Sequence, residues 1–146
     1  MEDLDRQILR LLAADGRMSF TDLGRQTGLS TSAVHQRVRR LEQRGVIRGY
    51  HADVDPGSLG LPLTAFVAVS PLNPAAHDGL PKLLAEFEQV EACYSVAGDE
   101  SYLIKLRARD TAALELLLGR IRSDVGVTTR TTIVLSTSFE ARSLPV

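Results

Sequence analysis

The chain has 146 residues, 44% of them hydrophobic and 24% charged, with a net charge of −1. That composition supports a folded core and excludes a disordered tail protein. With no apolar run near the ~18 residues of a membrane span, an acidic start (Glu2, Asp3, Asp5) unlike a secretory signal, and a single cysteine, the expectation is a cytoplasmic protein without membrane partner or disulfides.

The charge is unevenly spread. Residues 1–50 carry nine arginines and six acids, +3 in all, whereas residues 51–146 carry eight basic and twelve acidic residues, −4. A basic head on an acidic body points to an anionic partner for the head.

Leu4, Ile8, Leu11 and Leu12 form one apolar stripe and predict a first helix from Leu4 to about Ala14. Asp15-Gly16 ends it, with Gly16 expected to take the left-handed conformation of a helix stop. Ser19 is a good N-cap for a short second helix anchored by Leu23, with Asp22 as an imperfect capping-box partner. Gly28 breaks that helix. Ser30 caps a third, from Thr31 to about Arg44, with Val34, Val38 and Leu41 inward and Gly45 closing it. Two short helices joined by a glycine-containing turn make a helix-turn-helix, whose second helix enters the DNA major groove.

The outward positions of that helix are Thr31, Ser32, His35, Gln36, Arg39 and Arg40. Hydroxyl, imidazole and amide groups hydrogen-bond base edges, and arginine bonds guanine or phosphate. Residues 37–48 hold five arginines and one glutamate, a local +4. Ser30 at the helix start and Arg48 beyond its end complete the expected DNA-contact set. Arg37 lies near the inner stripe and reads equally as a structural ion-pair partner. Val46 to Val54 reads as strand-turn-strand, the place of a wing.

Residues 53–62 are rich in turn formers, and the charge balance changes sign there. The expected organisation is a winged helix-turn-helix over 1–52, a linker over 53–62 and a second domain over 63–146. In that domain Leu63–Ser70 is a near-continuous apolar strand. Leu80, Leu83, Leu84 and Phe87 predict a helix. Ala92–Ala97 is a strand, Gly98-Asp99-Glu100-Ser101 a turn, and Tyr102–Ala108 a strand. Asp110 or Thr111 caps a helix carrying Leu114, Leu117, Leu118 and Ile121, and Val127 to about Phe139 is a long last strand. The order β-α-β-β-α-β is the ferredoxin-like arrangement, giving an α+β protein whose antiparallel sheet has helices on one face. The other face, expected to be apolar, would be covered by a symmetric partner.

Leu4-Asp5, Ile8-Leu9, Asp15-Gly16-Arg17, Gly28-Leu29-Ser30, Arg37-Val38, Leu41-Glu42 and Gly45-Val46-Ile47-x-Gly49-Tyr50 together resemble the Lrp/AsnC family of transcription regulators over about fifty residues in order. The resemblance implies a DNA-binding head, a linker and an amino-acid-responsive body that forms dimers assembling further, often into octamers. In that family a Gly-x-x-Asp loop between the second and third strands contacts the effector. Here Gly98 matches and Ser101 stands at the aspartate position, so Asp99 or Glu100 would meet an ammonium and backbone N–H groups near Gly98 a carboxylate. Tyr94 and Tyr102 flank this loop as candidate lining residues. The stretch Arg130-Thr131-Thr132-Ile133-Val134 matches the family's last strand, and Thr131, Ile133 and Val134 are carried over as pocket residues at the subunit interface.

No catalytic constellation and no cofactor motif is recognisable. The histidines (His35, His51, His77) lie in different elements without metal-ligand spacing. Cys93, mid-strand among apolar neighbours, is expected to be a buried, inert thiol. The competing readings are a ferredoxin-like enzyme or metabolite-binding domain with an accessory head, and an oligomerisation module whose head binds protein.

Overall fold

The computed structural model describes residues 2–142, with His77 described by its backbone only. The chain forms two compact units. One is the segment up to Asp53 with the described part of the stretch from Phe139, and the other is Val54–Ser138.

The first unit has three helices: α1 (Asp3–Ala14), α2 (Phe20–Thr27) and α3 (Thr31–Gln43). Ile8, Leu23, Val34, Val38 and Leu41 form its fully buried core, flanked by Leu9, Leu12, Met18, Phe20 and Ile47. The caps follow the sequence logic. The Ser19 hydroxyl accepts from the Asp22 N–H at 3.0 Å and donates to the Asp22 carboxylate at 2.7 Å. The side chains therefore pair with each other, and the reciprocal bond to the Ser19 backbone that defines a full capping box is replaced. The Ser30 hydroxyl accepts from the Ala33 N–H at 3.2 Å. Gly28 and Gly45 take left-handed conformations, φ 72° and 68°. Gly16 does not. Asp15, in an extended conformation, ends α1 instead, and its carboxylate accepts from the Arg17 N–H at 2.9 Å.

The expected wing is corrected: no strand forms over residues 46–54. After α3 the Val46 and Ile47 N–H groups both turn back to the Leu41 carbonyl, at 2.9 and 3.2 Å. Those bonds commit the first arm to the helix end, and an extended loop follows.

The second unit is a four-stranded antiparallel sheet in the order β2-β3-β1-β4, with β1 (Leu63–Pro71), β2 (Val90–Ser95), β3 (Tyr102–Ala108) and β4 (Val127–Ile133). Helices α4 (Leu80–Leu84) and α5 (Thr111–Val125) contribute to its core. That core joins Val67, Val69, Ile104 and Leu106 of the sheet to Leu80, Leu84, Leu114, Leu118 and Ile121 of the helices. The topology is ferredoxin-like. The Asp110 carboxylate caps α5 through the Ala113 N–H at 2.7 Å.

Three elements differ in extent from expectation. Helix α4 has only five residues, and i→i+3 bonds from Glu86 and Phe87 continue the turn, which still buries Phe87. Strand β2 starts at Val90 and slips register between Val90 and Ala92. Strand β4 stops at Ile133, opposite Ala65 of β1, and one further bond follows, from the Val134 N–H to the Thr64 carbonyl at 2.9 Å. Residues 143–146 of the expected second domain, and Met1, lie outside the described residues.

Side-chain alternation separates the two sheet faces. Opposite the helices, the open face presents Thr64, Phe66 and Ala68 of β1, Leu103, Lys105 and Arg107 of β3, Tyr94 of β2 and Arg130 of β4. It is mixed rather than apolar, because the register slip turns Glu91 onto two cations: Lys105 at 3.2 Å and Arg107 at 2.8 Å. Burial raises the Glu91 pKa, but the bonds from Arg107 and Lys105 outweigh it and hold the carboxyl below its ordinary value. No helix among the described residues is long and apolar enough to cross a membrane.

Candidate nucleic-acid interface and effector loop

Helix α3 divides into two sets of residues. Val34, Val38 and Leu41 are buried, while Thr31, Ser32, His35, Gln36, Arg39 and Arg40 are all exposed. Ser30 is committed to capping, and its hydroxyl also lies 3.1 Å from that of Ser32. The His35 ring meets Phe20 of α2 edge-on, with centroids 5.3 Å apart, which ties an exposed imidazole to the packing of the two helices. Arg48 is exposed on the loop after α3.

Arg37 is structural. Its guanidinium bonds Glu2 at 2.7 Å and Asp5 at 2.8 Å, joining α3 to the start of α1. The hydrogen bonds to Glu2 and then Asp5 raise its pKa further.

Two features escaped sequence reading. Gly24 is buried inside α2, and a Cβ there would lie 2.6 Å from the Leu29 carbonyl oxygen. The Leu29 N–H bonds the Gly24 carbonyl at 3.0 Å, so α2 and the turn touch backbone to backbone. A glycine in a helix interior is costly and was the available signal. The second is the Tyr50 hydroxyl, which donates to Glu42 at 2.9 Å.

The effector candidates divide into separate places. Gly98, Asp99, Glu100 and Ser101 form the turn between β2 and β3, closed by the Val96 N–H on the Ser101 carbonyl at 3.1 Å. Glu100 is ion-paired with Arg130 of β4, and Asp99 is exposed. Tyr94 is exposed on the open face. Tyr102 is corrected: it is 5% exposed within the core on the helix face, opposite Tyr94, so the two do not line one site. Thr131 and Ile133 lie on the helix side, in a groove of about 280 Å³ shared with Thr111, Leu114, Glu115, Leu118 and Arg122. Val134 is half-buried and continues the pairing with β1. The turn and Thr131 thus meet β4 on different faces, Glu100 reaching Arg130 on the open face and Thr131 facing the helix side.

Cys93 is also corrected: it is exposed, because β2 is an edge strand with no further strand beside it. Partial desolvation still pushes its thiol above the ordinary value, which disfavours the thiolate. Among the described residues no group of three or more histidines, cysteines or carboxylates is placed to hold a metal.

Comparison with known proteins gives matches along the chain. The AsnC-type helix-turn-helix domain model matches residues 1–42, and the Lrp/AsnC ligand binding domain model residues 64–144. The HTH-type transcriptional regulator LrpA of Mycobacterium tuberculosis is 50% identical over 142 residues, 97% of this chain and 95% of its own. The solved structure of the M. tuberculosis feast or famine regulatory protein complexed with L-methionine aligns with a TM-score of 0.93 at 50% identity, covering 97% of this chain and 96% of that one. A transcriptional regulator from Neisseria meningitidis in complex with L-methionine aligns with a TM-score of 0.91 at 28% identity, covering 99% and 96%.

Proposed function

Because the chain belongs to the Lrp/AsnC family of transcriptional regulators, we propose that it is a sequence-specific regulator that reads its operator with α3 and is tuned by an amino acid bound at a subunit interface of the second unit. The family is one of regulators, and the chain is not an enzyme. The observation that carries the proposal is the division of α3: every polar residue fitted to base edges or phosphate is exposed, and every buried position is aliphatic.

Thr31, Ser32, His35 and Gln36 read base edges, and Arg39, Arg40 and Arg48 bond phosphate, with Ser30 fixing the helix start. A homodimer presents two such helices to half-sites one or more helical turns apart. The open sheet face is the dimer surface in this reading, further assembly gives the octamer, and residues 53–62 link the DNA-binding and effector domains.

Two supports favour an amino acid as effector. Two structural relatives are complexes with L-methionine by their names. The turn also offers the exposed Asp99 for an ammonium group, with Glu100 held by Arg130. Since the turn and the Thr131–Ile133 groove open on different faces of the sheet, a site using both draws them from two subunits in this reading. Effector binding then shifts the assembly or half-site spacing, and so operator affinity.

The test is retardation of a duplex carrying the chain's own upstream region, titrated with each amino acid, methionine first. The reading predicts retardation that changes with one or a few amino acids. Replacing Arg39 and Arg40 by alanine abolishes retardation while assembly persists. Equal retardation by this double variant overturns the DNA-reading assignment, and indifference to all amino acids overturns the effector assignment.

A further inference from the structure

The loop after α3 carries the arginine of a wing without the sheet of a wing. Its first turn is fixed by the two bonds to the Leu41 carbonyl. Beyond these, no strand pair restrains residues 48–54. The restraint found there is the Tyr50 hydroxyl on Glu42, a residue in the last turn of α3. The tyrosine ring borders a groove of about 400 Å³ lined by Leu9, Leu12 and Ala13 of α1 together with Val46–His51. The loop is thus clasped at both ends, with the exposed Arg48 between the clasps.

We propose that Tyr50 is a positioning residue for DNA binding: by bonding Glu42 it replaces the absent strand pair and holds Arg48 at a DNA phosphate. This rests on the reading of Arg48 as a phosphate contact. Tyr50 need not touch DNA. An unrestrained loop would lose the arginine contact to conformational entropy, since each residue ordered on binding costs free energy that a pre-set loop has already met. The bond also occupies a carboxylate oxygen in the helix turn beside Arg39 and Arg40. A phenol is suited to the task, since it is a donor at neutral pH in any case; partial desolvation, and after it the bond to Glu42, push it up to about 12.

Phosphate contacts are independent of sequence, so the probe is a random-sequence duplex of about three helical turns, with affinity measured across a salt series. Wild type is compared with Tyr50→Phe, Arg48→Ala, the two combined, and Glu42→Gln. Losing one phosphate contact lowers the slope of log affinity against log salt by about 0.9 and affinity roughly threefold to tenfold. Tyr50→Phe and Arg48→Ala each show that loss, and the double variant shows no more than Arg48→Ala. Glu42→Gln keeps an acceptor oxygen for the phenol and retains the wild-type slope. Thermal midpoints are read alongside; should Tyr50→Phe fail to fold, Glu42→Leu removes the same bond from its other side and carries the slope test. A wild-type slope in Tyr50→Phe, or additive losses in the double variant, overturns the positioning role while leaving DNA reading intact. Absence of wild-type binding at low salt overturns both.

Discussion

Arg37 of α3 closes on Asp5 of α1 at 2.8 Å, and Asp5 is only 8% exposed although it carries a charge. The pair, extended by Glu2, fixes α3 to the start of α1. Arg37→Ala strands a nearly buried carboxylate, and the expected cost is about 1–3 kcal/mol. Thermal unfolding of the full chain followed by circular dichroism measures it, and an unchanged midpoint would show the pair to be ornamental.

Gly24→Ala is a second structural test. The new methyl group would sit 2.6 Å from the Leu29 carbonyl oxygen, so α2 must shift away from the turn. The expected destabilisation is about 1–3 kcal/mol, despite alanine's better helix propensity. Chemical denaturation reads the sign directly: a stabilised variant would mean that the turn yields freely.

Gln36→Ala and Arg40→Ala should separate reading from holding. Loss of an amide at a base edge relaxes discrimination at one operator position by about 1–3 kcal/mol. Loss of a phosphate contact instead weakens all sequences alike and lowers the salt slope by about 0.9. Selection of bound duplexes from a randomised pool, run on both variants, distinguishes them. Identical changes in preference would void the division of labour along α3.

Glu91 predicts an acid-side dependence. Its folded pKa is lowered, so its contribution to stability is complete above the unfolded value of about 4.3 and fades as pH falls through the lower folded value. Glu91→Gln removes that part of the acid sensitivity and leaves Lys105, 8% exposed, without this carboxylate. Unfolding midpoints over an acid pH series should converge for variant and wild type. Parallel curves would show that the bridge does not report in stability.

Tyr50 gives the opposite sign. A phenol whose folded value is about 12 stabilises the fold fully below its unfolded value of about 10 and loses that contribution as pH rises from about 10 through 12. In a phenolate absorbance titration, Tyr50→Phe should remove a late-ionising step, and an unchanged titration would show that the bond to Glu42 does not hold the phenol.

Periodicity and capping chemistry explain what was legible. The stripes at Ile8, Val34, Val38 and Leu41 and the caps at Ser19, Ser30 and Asp110 use contacts within a few residues of chain. Partners distant in sequence were not readable in the same way. Strand β4 reads on past Ile133 in composition, but its pairing with β1 ends at Ala65–Ile133, with one further bond from Val134 to Thr64. Cys93 sits among apolar neighbours in sequence and at a sheet edge in space. Tyr94 and Tyr102 both flank one turn, yet a register of Tyr94 with Leu103 and Ser95 with Tyr102 sends them to opposite faces. Of the site, the exposed residues of α3 were legible because helical spacing determines them. The Tyr50–Glu42 bond was not, since it depends on how the chain reverses after Gly45.

The division of α3 has an evolutionary corollary. The residues that hold the helix in place, Val34, Arg37, Val38 and Leu41, share no position with Thr31, Ser32, Gln36, Arg39 and Arg40; His35 alone belongs to both sets, through its ring contact with Phe20. If α3 reads the operator as proposed, substitutions at these exposed positions alter what is recognised without opening a cavity or stranding a charge. On that reading a duplicated copy of this gene drifts to a new set of target promoters in single steps, each intermediate remaining folded.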